Sequence, residues 1–160
     1  MKLEPSLLKQ KPQRDSLDPR YAQIAAQMID RLEAPSLLIY GDLPEGFLEG
    51  FRPQRPCRIQ KYKPTIIGGE QADPAGVVVS VDYLNTCGQL GIEEALTALQ
   101  RATLSSGFFK VRLPRQDDIS TKDDVDYPDT WWLDQFAKRF YLHTYQVVPD
   151  GFYVICYARG

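Results

Sequence analysis

Asp82 is the acidic side chain with the clearest potential for chemistry, because it directly follows the apolar run at residues 77–81. Such a run predicts a buried strand, and ligands of open α/β sheets bind beyond the carboxyl ends of the strands. Asp82 is therefore the candidate catalytic residue. The alternative is that its carboxylate caps the following turn through local hydrogen bonds.

Other catalytic chemistries find little support in the sequence. His143, the only histidine, falls in a predicted strand and is interpreted as structural or exposed. The sequence shows neither a Gly-x-Ser-x-Gly motif nor a Cys–His pairing, so a nucleophilic hydrolase has little support. The acid-rich stretch at 114–126 is interpreted as a solvated loop. Cys57, Cys87 and Cys156 lack metal-ligand spacing, so we predict neither a metal site nor a disulfide.

Strand and helix patterns alternate along the chain, which predicts a mostly parallel sheet. The last two strands flank Pro149-Asp150-Gly151 and are expected to form an antiparallel hairpin, with Gly151 at positive φ. The predicted strands cover 37–40, 58–62, 77–81, 108–113, 141–148 and 152–158. The predicted helices run from Asp18-Pro19 to the residues before Pro35, over 92–104, and from a capping Asp129 to Phe140.

The predicted fold class is α/β, with a Rossmann-like, mostly parallel sheet, helices on both faces and a C-terminal antiparallel β-hairpin. A chain of 160 residues accommodates one domain, which we place at 19–160. The polar arm at 1–18 has too little apolar content to fold alone and is a candidate docking segment. The net charge of −2 gives no general attraction to nucleic acid. No apolar run spans a bilayer and no secretion signal is recognised, so we expect a cytoplasmic protein without a membrane partner.

A basic cluster and a tryptophan pair are the candidate contacts for a partner. Arg52, Arg55, Arg58 and Lys61 lie close together and could follow a phosphate backbone. Alternation along a strand could also split these charges between two faces, and lysines on an edge strand often serve only to prevent aggregation. Of the pair at 131–132, one ring is expected to be buried and the other, Trp131, partly exposed at an interface.

Several short motifs, in order, resemble those of the small class I SAM-dependent methyltransferases, especially a compact type encoded by bacteriophages. The resemblance covers 36–158. The matching residues are Tyr62-Lys63-Pro64, the run at 79–85 that contains Asp82, Leu96, Leu99, Thr103, Gly107-Phe108-Phe109, Trp131-Trp132 and Phe140. The resemblance implies a SAM site at Gly41, Asp42, Gly46, Lys63 and Asp82, and a phage origin that would place the protein in the host cytoplasm.

The same comparison implies that this SAM site is degenerate. Gly41 and Gly46 stand too far apart for the family's tight cofactor loop, and Pro44 removes a backbone donor. Lys63 replaces the acid that accepts hydrogen bonds from the ribose, although an ammonium has no acceptor. We therefore expect no cofactor and a module that binds a protein or nucleic acid. The alternative is an active SAM-dependent methyltransferase with an atypical loop.

Overall fold

The computed structural model describes residues 19–43, 46–64, 72–113 and 127–159. The predicted arm at 1–18, Pro44 and the predicted acidic loop at 114–126 lie outside these residues. The described part forms a six-stranded sheet with the strand order β2-β1-β3-β4-β6-β5. In chain order, the elements are α1 (Pro19–Leu32), β1 (Ser36–Tyr40), α2 (Phe47–Gly50), β2 (Arg58–Tyr62), β3 (Ala75–Val81), a 3-10 turn (Leu84–Thr86), α3 (Gly88–Ala102), β4 (Thr103–Arg112), α4 (Asp129–Arg139), β5 (Phe140–Val148) and β6 (Gly151–Ala158).

The sheet is parallel from β2 to β4 and antiparallel from β4 to β5, as the sequence predicts. Every residue of β1 and β3 is buried, which explains why these strands read as continuous apolar runs. Leu38 and Val78 point into a core shared with α3 and α4. Leu37 and Val77 point into a second core under α1. Helices therefore cover both faces of the sheet, and the predicted fold class is confirmed.

The C-terminal hairpin forms as predicted, but the reason for its glycine is different. Among the described residues, the glycines at positive φ are Gly41, Gly46 and Gly88, and Gly151 is not one of them. A Cβ on Gly151 would clash with the carbonyl oxygen of Val111. The close approach of the β4 backbone therefore requires glycine at this position, and the prediction of a positive φ was wrong.

Two predicted boundaries also change. α3 begins at Gly88 and ends at Ala102, and Thr103 already has the extended backbone of β4. The observed helix therefore ends two residues before the predicted end at 104. The strand β4 begins well before the predicted start at Phe108. α4 begins at Asp129 as predicted, but this side chain does not cap the helix. Asp129 already lies inside the first turn, and its carboxylate accepts a hydrogen bond from the hydroxyl of Tyr145 on β5 at 2.8 Å.

Candidate functional site

The sequence-predicted cofactor residues gather at one edge of the sheet. Gly41 and Asp42 follow β1, Lys63 follows β2, and Asp82 follows β3. Because these three strands are parallel, their carboxyl ends meet at the same edge, where open α/β sheets bind ligands. We call the space beyond the carboxyl ends of β1, β2 and β3 the crevice.

Gly41 holds a special backbone position at the crevice. Its φ is +91°, and its N–H donates to the Tyr62 carbonyl at 2.8 Å. A Cβ on Gly41 would lie 3.0 Å from the side chain of Tyr83. Glycine is therefore needed for its backbone angle and for the close packing of Tyr83. The space above Gly41 is taken by this protein's own side chain.

Tyr83 belongs to a cluster of tyrosines at the strand ends. The Tyr40 ring centroid lies 5.2 Å from that of Tyr62 and 5.3 Å from that of Tyr83. Burial raises the pKa of Tyr40 to about 12, and burial also raises the pKa of Tyr83. The Tyr40 and Tyr83 hydroxyls are therefore neutral at physiological pH. The cluster therefore places aromatic rings at the carboxyl ends of β1, β2 and β3, with Tyr40 itself buried.

Lys63 and Asp42 form an ion pair across the mouth of the crevice. The Lys63 Nζ atom lies 3.6 Å from the Asp42 Oδ2 atom, with the two side chains 76% and 79% exposed. An exposed pair of this kind adds little stability. It does, however, place a cation where the resembled family has a ribose-binding acid. Gly46, with φ of +95°, precedes the short helix α2 and has no atom near its Cβ position.

Asp82 does not cap its own turn, so that interpretation was wrong. Its Oδ1 atom accepts a hydrogen bond from the Lys110 Nζ atom at 2.9 Å, while the turn is closed by the Thr86 hydroxyl on the Tyr83 carbonyl at 2.7 Å. Lys110 also donates to the Asp150 Oδ2 atom at 2.8 Å. The Lys110 side chain is only 3% exposed. Asp82 thus belongs to a buried ionic triad that joins β3, β4 and the hairpin turn.

The triad also sets the chemistry open to Asp82. Burial raises the pKa of the Asp82 carboxyl, and the neighbouring Lys110 ammonium opposes that shift. At neutral pH the ammonium satisfies the carboxylate, which is therefore a poor free base. The sequence analysis did not identify Lys110 as a partner. The available indication was a lysine inside the otherwise apolar run at 108–111.

The candidate basic residues do not share one face of the sheet. Arg58 and Lys61 are exposed on β2, an edge strand of the sheet. Lys61 pairs with Ile39, whereas Arg58 has the parity of Gln60, which pairs with Leu38. Ile39 and Leu38 belong to cores on opposite faces, so the two charges point to opposite sides. Arg52 is exposed, and Arg55 is half-buried, with its backbone N–H donating to the Asp30 carboxylate at 3.1 Å.

The aromatic pair on α4 has the predicted difference in burial, while the predicted interface at Trp131 stays a prediction. Trp132 is fully buried, and Trp131 is half-buried. The Trp131 ring stacks on Tyr127 with centroids 3.9 Å apart. His143 is exposed on β5 and its ring lies 5.1 Å from the Tyr157 ring, at the edge of the sheet and away from Asp82.

Within the described ranges, no group of histidine, cysteine and acidic side chains has the arrangement of a metal site. The described cysteines are all free thiols. None of the helices in that same part of the chain is long and apolar enough to cross a bilayer.

Comparison with known proteins places the fold. No protein-family model and no curated protein sequence matches this chain. A SAM-dependent methyltransferase from Aquifex aeolicus superimposes with a TM-score of 0.66 at 11% identity, over 99% of this chain and 100% of that one. The N-methyltransferase NodS from Bradyrhizobium japonicum, solved with S-adenosyl-L-homocysteine, gives 0.65 at 12% identity, over 98% and 96%. An O-methyltransferase family protein from Burkholderia thailandensis gives 0.65 at 9% identity, and the match covers 88% of this chain but only 55% of that protein. At such identities the likeness establishes a class I methyltransferase fold.

Proposed function

We propose that this protein uses a methyltransferase fold without binding SAM and acts as a protein-binding module. The observation that carries the proposal is the packing of Tyr83 on Gly41, where a Cβ would already meet the ring at 3.0 Å. A cofactor loop in the resembled family works because its glycines let the ligand approach the backbone. Here the Tyr83 ring occupies the space through which the ligand would approach the backbone of Gly41. The phage origin that the resemblance implies stays a prediction.

The electrostatics of the crevice support the same proposal. The Lys63 ammonium offers donors only, so it cannot accept hydrogen bonds from a ribose. Asp42 is paired with this ammonium at 3.6 Å. Asp82 is paired with Lys110 at 2.9 Å. Asp42 and Asp82, the described carboxylates at these strand ends, therefore each have a cationic partner from the protein.

A protein partner fits the surface better than a nucleic acid does. Arg58 and Lys61 point to opposite sides of β2, so they do not form a continuous basic track. The opposite edge strand, β5, is nine residues long and contains no lysine, arginine, aspartate or glutamate. Its large apolar side chains are well exposed, including Tyr141 at 59% and Val147 at 61%. Uncharged edge strands favour pairing with an extended segment of another protein.

The decisive experiment for the cofactor is calorimetric titration with SAM and with S-adenosyl-L-homocysteine. We expect dissociation constants in the millimolar range or weaker, on the order of −4 kcal/mol. The double variant Tyr83→Ala, Lys63→Glu removes the ring and restores an acceptor, so it should bind more tightly than the wild type. Tyr141→Ala, which removes a tyrosine from the far edge, is the matched control. Micromolar binding by the wild-type protein would overturn the proposal and favour an active methyltransferase.

The partner surface is tested separately, by comparing which proteins the wild type and its variants capture in cells that produce the protein. A partner that pairs with β5 should be captured by the wild type and lost with Val147→Lys. Leu104→Lys is the matched control, because Leu104 is 62% exposed and lies on a different strand. Single-stranded and duplex DNA probes test the alternative of a nucleic-acid partner. Micromolar DNA binding that is lost with Arg58→Gln and Lys61→Gln would identify a nucleic-acid module instead.

A further inference from the structure

A concave site lies at the amino ends of the parallel strands, whereas Asp82 lies at their carboxyl ends. It is a pocket of about 390 Å³ bounded by the end of α3, the end of α4, the start of β4 and the end of β6. Because β6 runs antiparallel to β4, the last residues of β6 lie beside the first residues of β4. The polar lining residues are Thr97, Gln100, Arg101, Thr103, Arg139 and Arg159. We call this site the arginine pocket.

The charge of the arginine pocket is unusual for this chain. Its described lining contains three arginines and no carboxylate, although the whole chain has a net charge of −2. Guanidinium groups stay protonated in proteins, so all three charges are present at physiological pH. Like charges around one cavity repel each other. A bound anion would remove this repulsion.

Two of the arginines are held in place by backbone carbonyls. The Arg139 Nη1 atom donates to the Gln135 carbonyl at 3.2 Å, and the Arg159 Nη2 atom donates to the Ala137 carbonyl at 2.6 Å. The Arg159 guanidinium also lies over the Tyr141 ring at 5.0 Å. Each guanidinium carries five N–H donors, so these contacts leave donors for a ligand. The two side chains are thus fixed in advance of binding.

Arg101 differs from the other two. It lies in the last turn of α3, is exposed, and makes no hydrogen bond or ion pair with any residue that the structure describes. A cation at the end of a helix is favourable by itself, which could explain one such residue. It does not explain why arginines from α3, from α4 and from the position after β6 line one cavity.

We propose that the arginine pocket binds a phosphate-bearing small molecule of about nucleotide size. Guanidinium groups bind phosphate with paired hydrogen bonds, and the neighbouring Thr97 and Gln100 can donate to the same oxygens. The volume of about 390 Å³ falls within the range of small-molecule sites, roughly 300–1,000 Å³. Phe140 and Ala158 supply an apolar wall for the rest of the ligand. This site is independent of the crevice, since it lies at the other edge of the sheet.

Calorimetric titration of the full chain with AMP, inorganic phosphate and adenosine tests the proposal. We expect AMP to bind, adenosine to bind at least tenfold more weakly, and added salt to weaken the binding of AMP. AMP should also bind more tightly than inorganic phosphate, and equal binding of the two would overturn the proposal of a nucleotide-sized ligand. Adenosine binding as tightly as AMP, or no binding of either AMP or phosphate, would overturn the proposal.

A pair of matched variants locates the binding. Arg101→Gln should weaken AMP binding at least tenfold while changing the urea midpoint only slightly, because Arg101 is exposed and makes no hydrogen bond or ion pair with a described residue that unfolding would break. Arg31→Gln is the control, since Arg31 is also exposed in the last turn of a helix but lies on α1. Equal AMP affinity in the wild type and in Arg101→Gln would show that the pocket is not the site.

Discussion

The Lys110 ammonium donates to the Asp82 carboxylate at 2.9 Å and joins the end of β3 to the last residues of β4. The same ammonium reaches Asp150 in the hairpin turn at 2.8 Å. These three residues are far apart in sequence, and the Lys110 side chain is 3% exposed. The ionic triad therefore fixes the carboxyl edge of the sheet and removes Asp82 from the set of free carboxylates.

Replacing Lys110 with methionine should destabilise the fold. The change leaves Asp82 and Asp150 close together without their shared cation, and breaking a buried pair costs about 3 kcal/mol. Urea unfolding measures this loss as a lower free energy of unfolding. Lys61→Met, on exposed β2, is the control and should leave the midpoint unchanged. Adding Asp82→Asn and Asp150→Asn to Lys110→Met should recover much of the loss, and a failure to do so would contradict the ionic origin.

The Asp82 carboxyl should titrate above its usual value of 3.8, because burial raises its pKa. A group that binds its proton more tightly in the folded state favours folding when protonated. The contribution of Asp82 to stability therefore falls as the pH rises from about 4 to the folded pKa. Carboxyl NMR titration measures this pKa directly. A pKa below 3.8 would contradict the prediction. The prediction would also fail if Asp82→Asn changed the free energy of unfolding by the same amount at every pH.

Gly41→Ala should destabilise the protein, and Tyr83 should account for part of the effect. A side chain at φ of +91° is strained, and its Cβ would press on the Tyr83 ring. Backbone strain of this kind costs about 1–3 kcal/mol. In a double-mutant cycle with Tyr83→Ala, part of the cost should disappear, giving a coupling energy above about 0.5 kcal/mol. Strict additivity would mean that Tyr83 does not pack on Gly41.

Gly151→Ala should be more damaging than its small size suggests. Its Cβ would clash with the Val111 carbonyl oxygen, so β6 and β4 could not keep their register. We expect a loss of about 3 kcal/mol or more in the free energy of unfolding. Gly91→Ala is the matched control, because its Cβ meets nothing closer than 3.9 Å in α3. That change should instead add about 0.5–1 kcal/mol through helix propensity.

Much of the fold could be predicted from the sequence because local patterns report burial. The apolar runs at 37–40 and 77–81 predict strands covered on both sides, and both strands are fully buried in the sheet. The turn at 149–151 predicts the hairpin that closes the sheet. The spacing on α4 predicts one buried and one partly exposed tryptophan, as found for Trp132 and Trp131. Each of these features depends on residues that are neighbours along the chain.

The candidate site was predictable only in part. The sequence identified Gly41, Lys63 and Asp82 as the residues at the strand ends, because parallel strands bring their carboxyl ends together. It could not identify Lys110 as the partner of Asp82. That pairing depends on the register between β3 and β4, which places Val81 beside Lys110.

The sequence by itself determined which segments are buried strands and helices, because burial leaves a periodic pattern in residue types. Only the tertiary structure decided which side chains meet. Tyr83 covers Gly41 because β1 and β3 are neighbours, although the two residues are far apart in the chain. Arg101 and Arg159 line one pocket because β6 returns antiparallel beside β4. Contacts of this kind depend on strand order and register, which local periodicity does not encode.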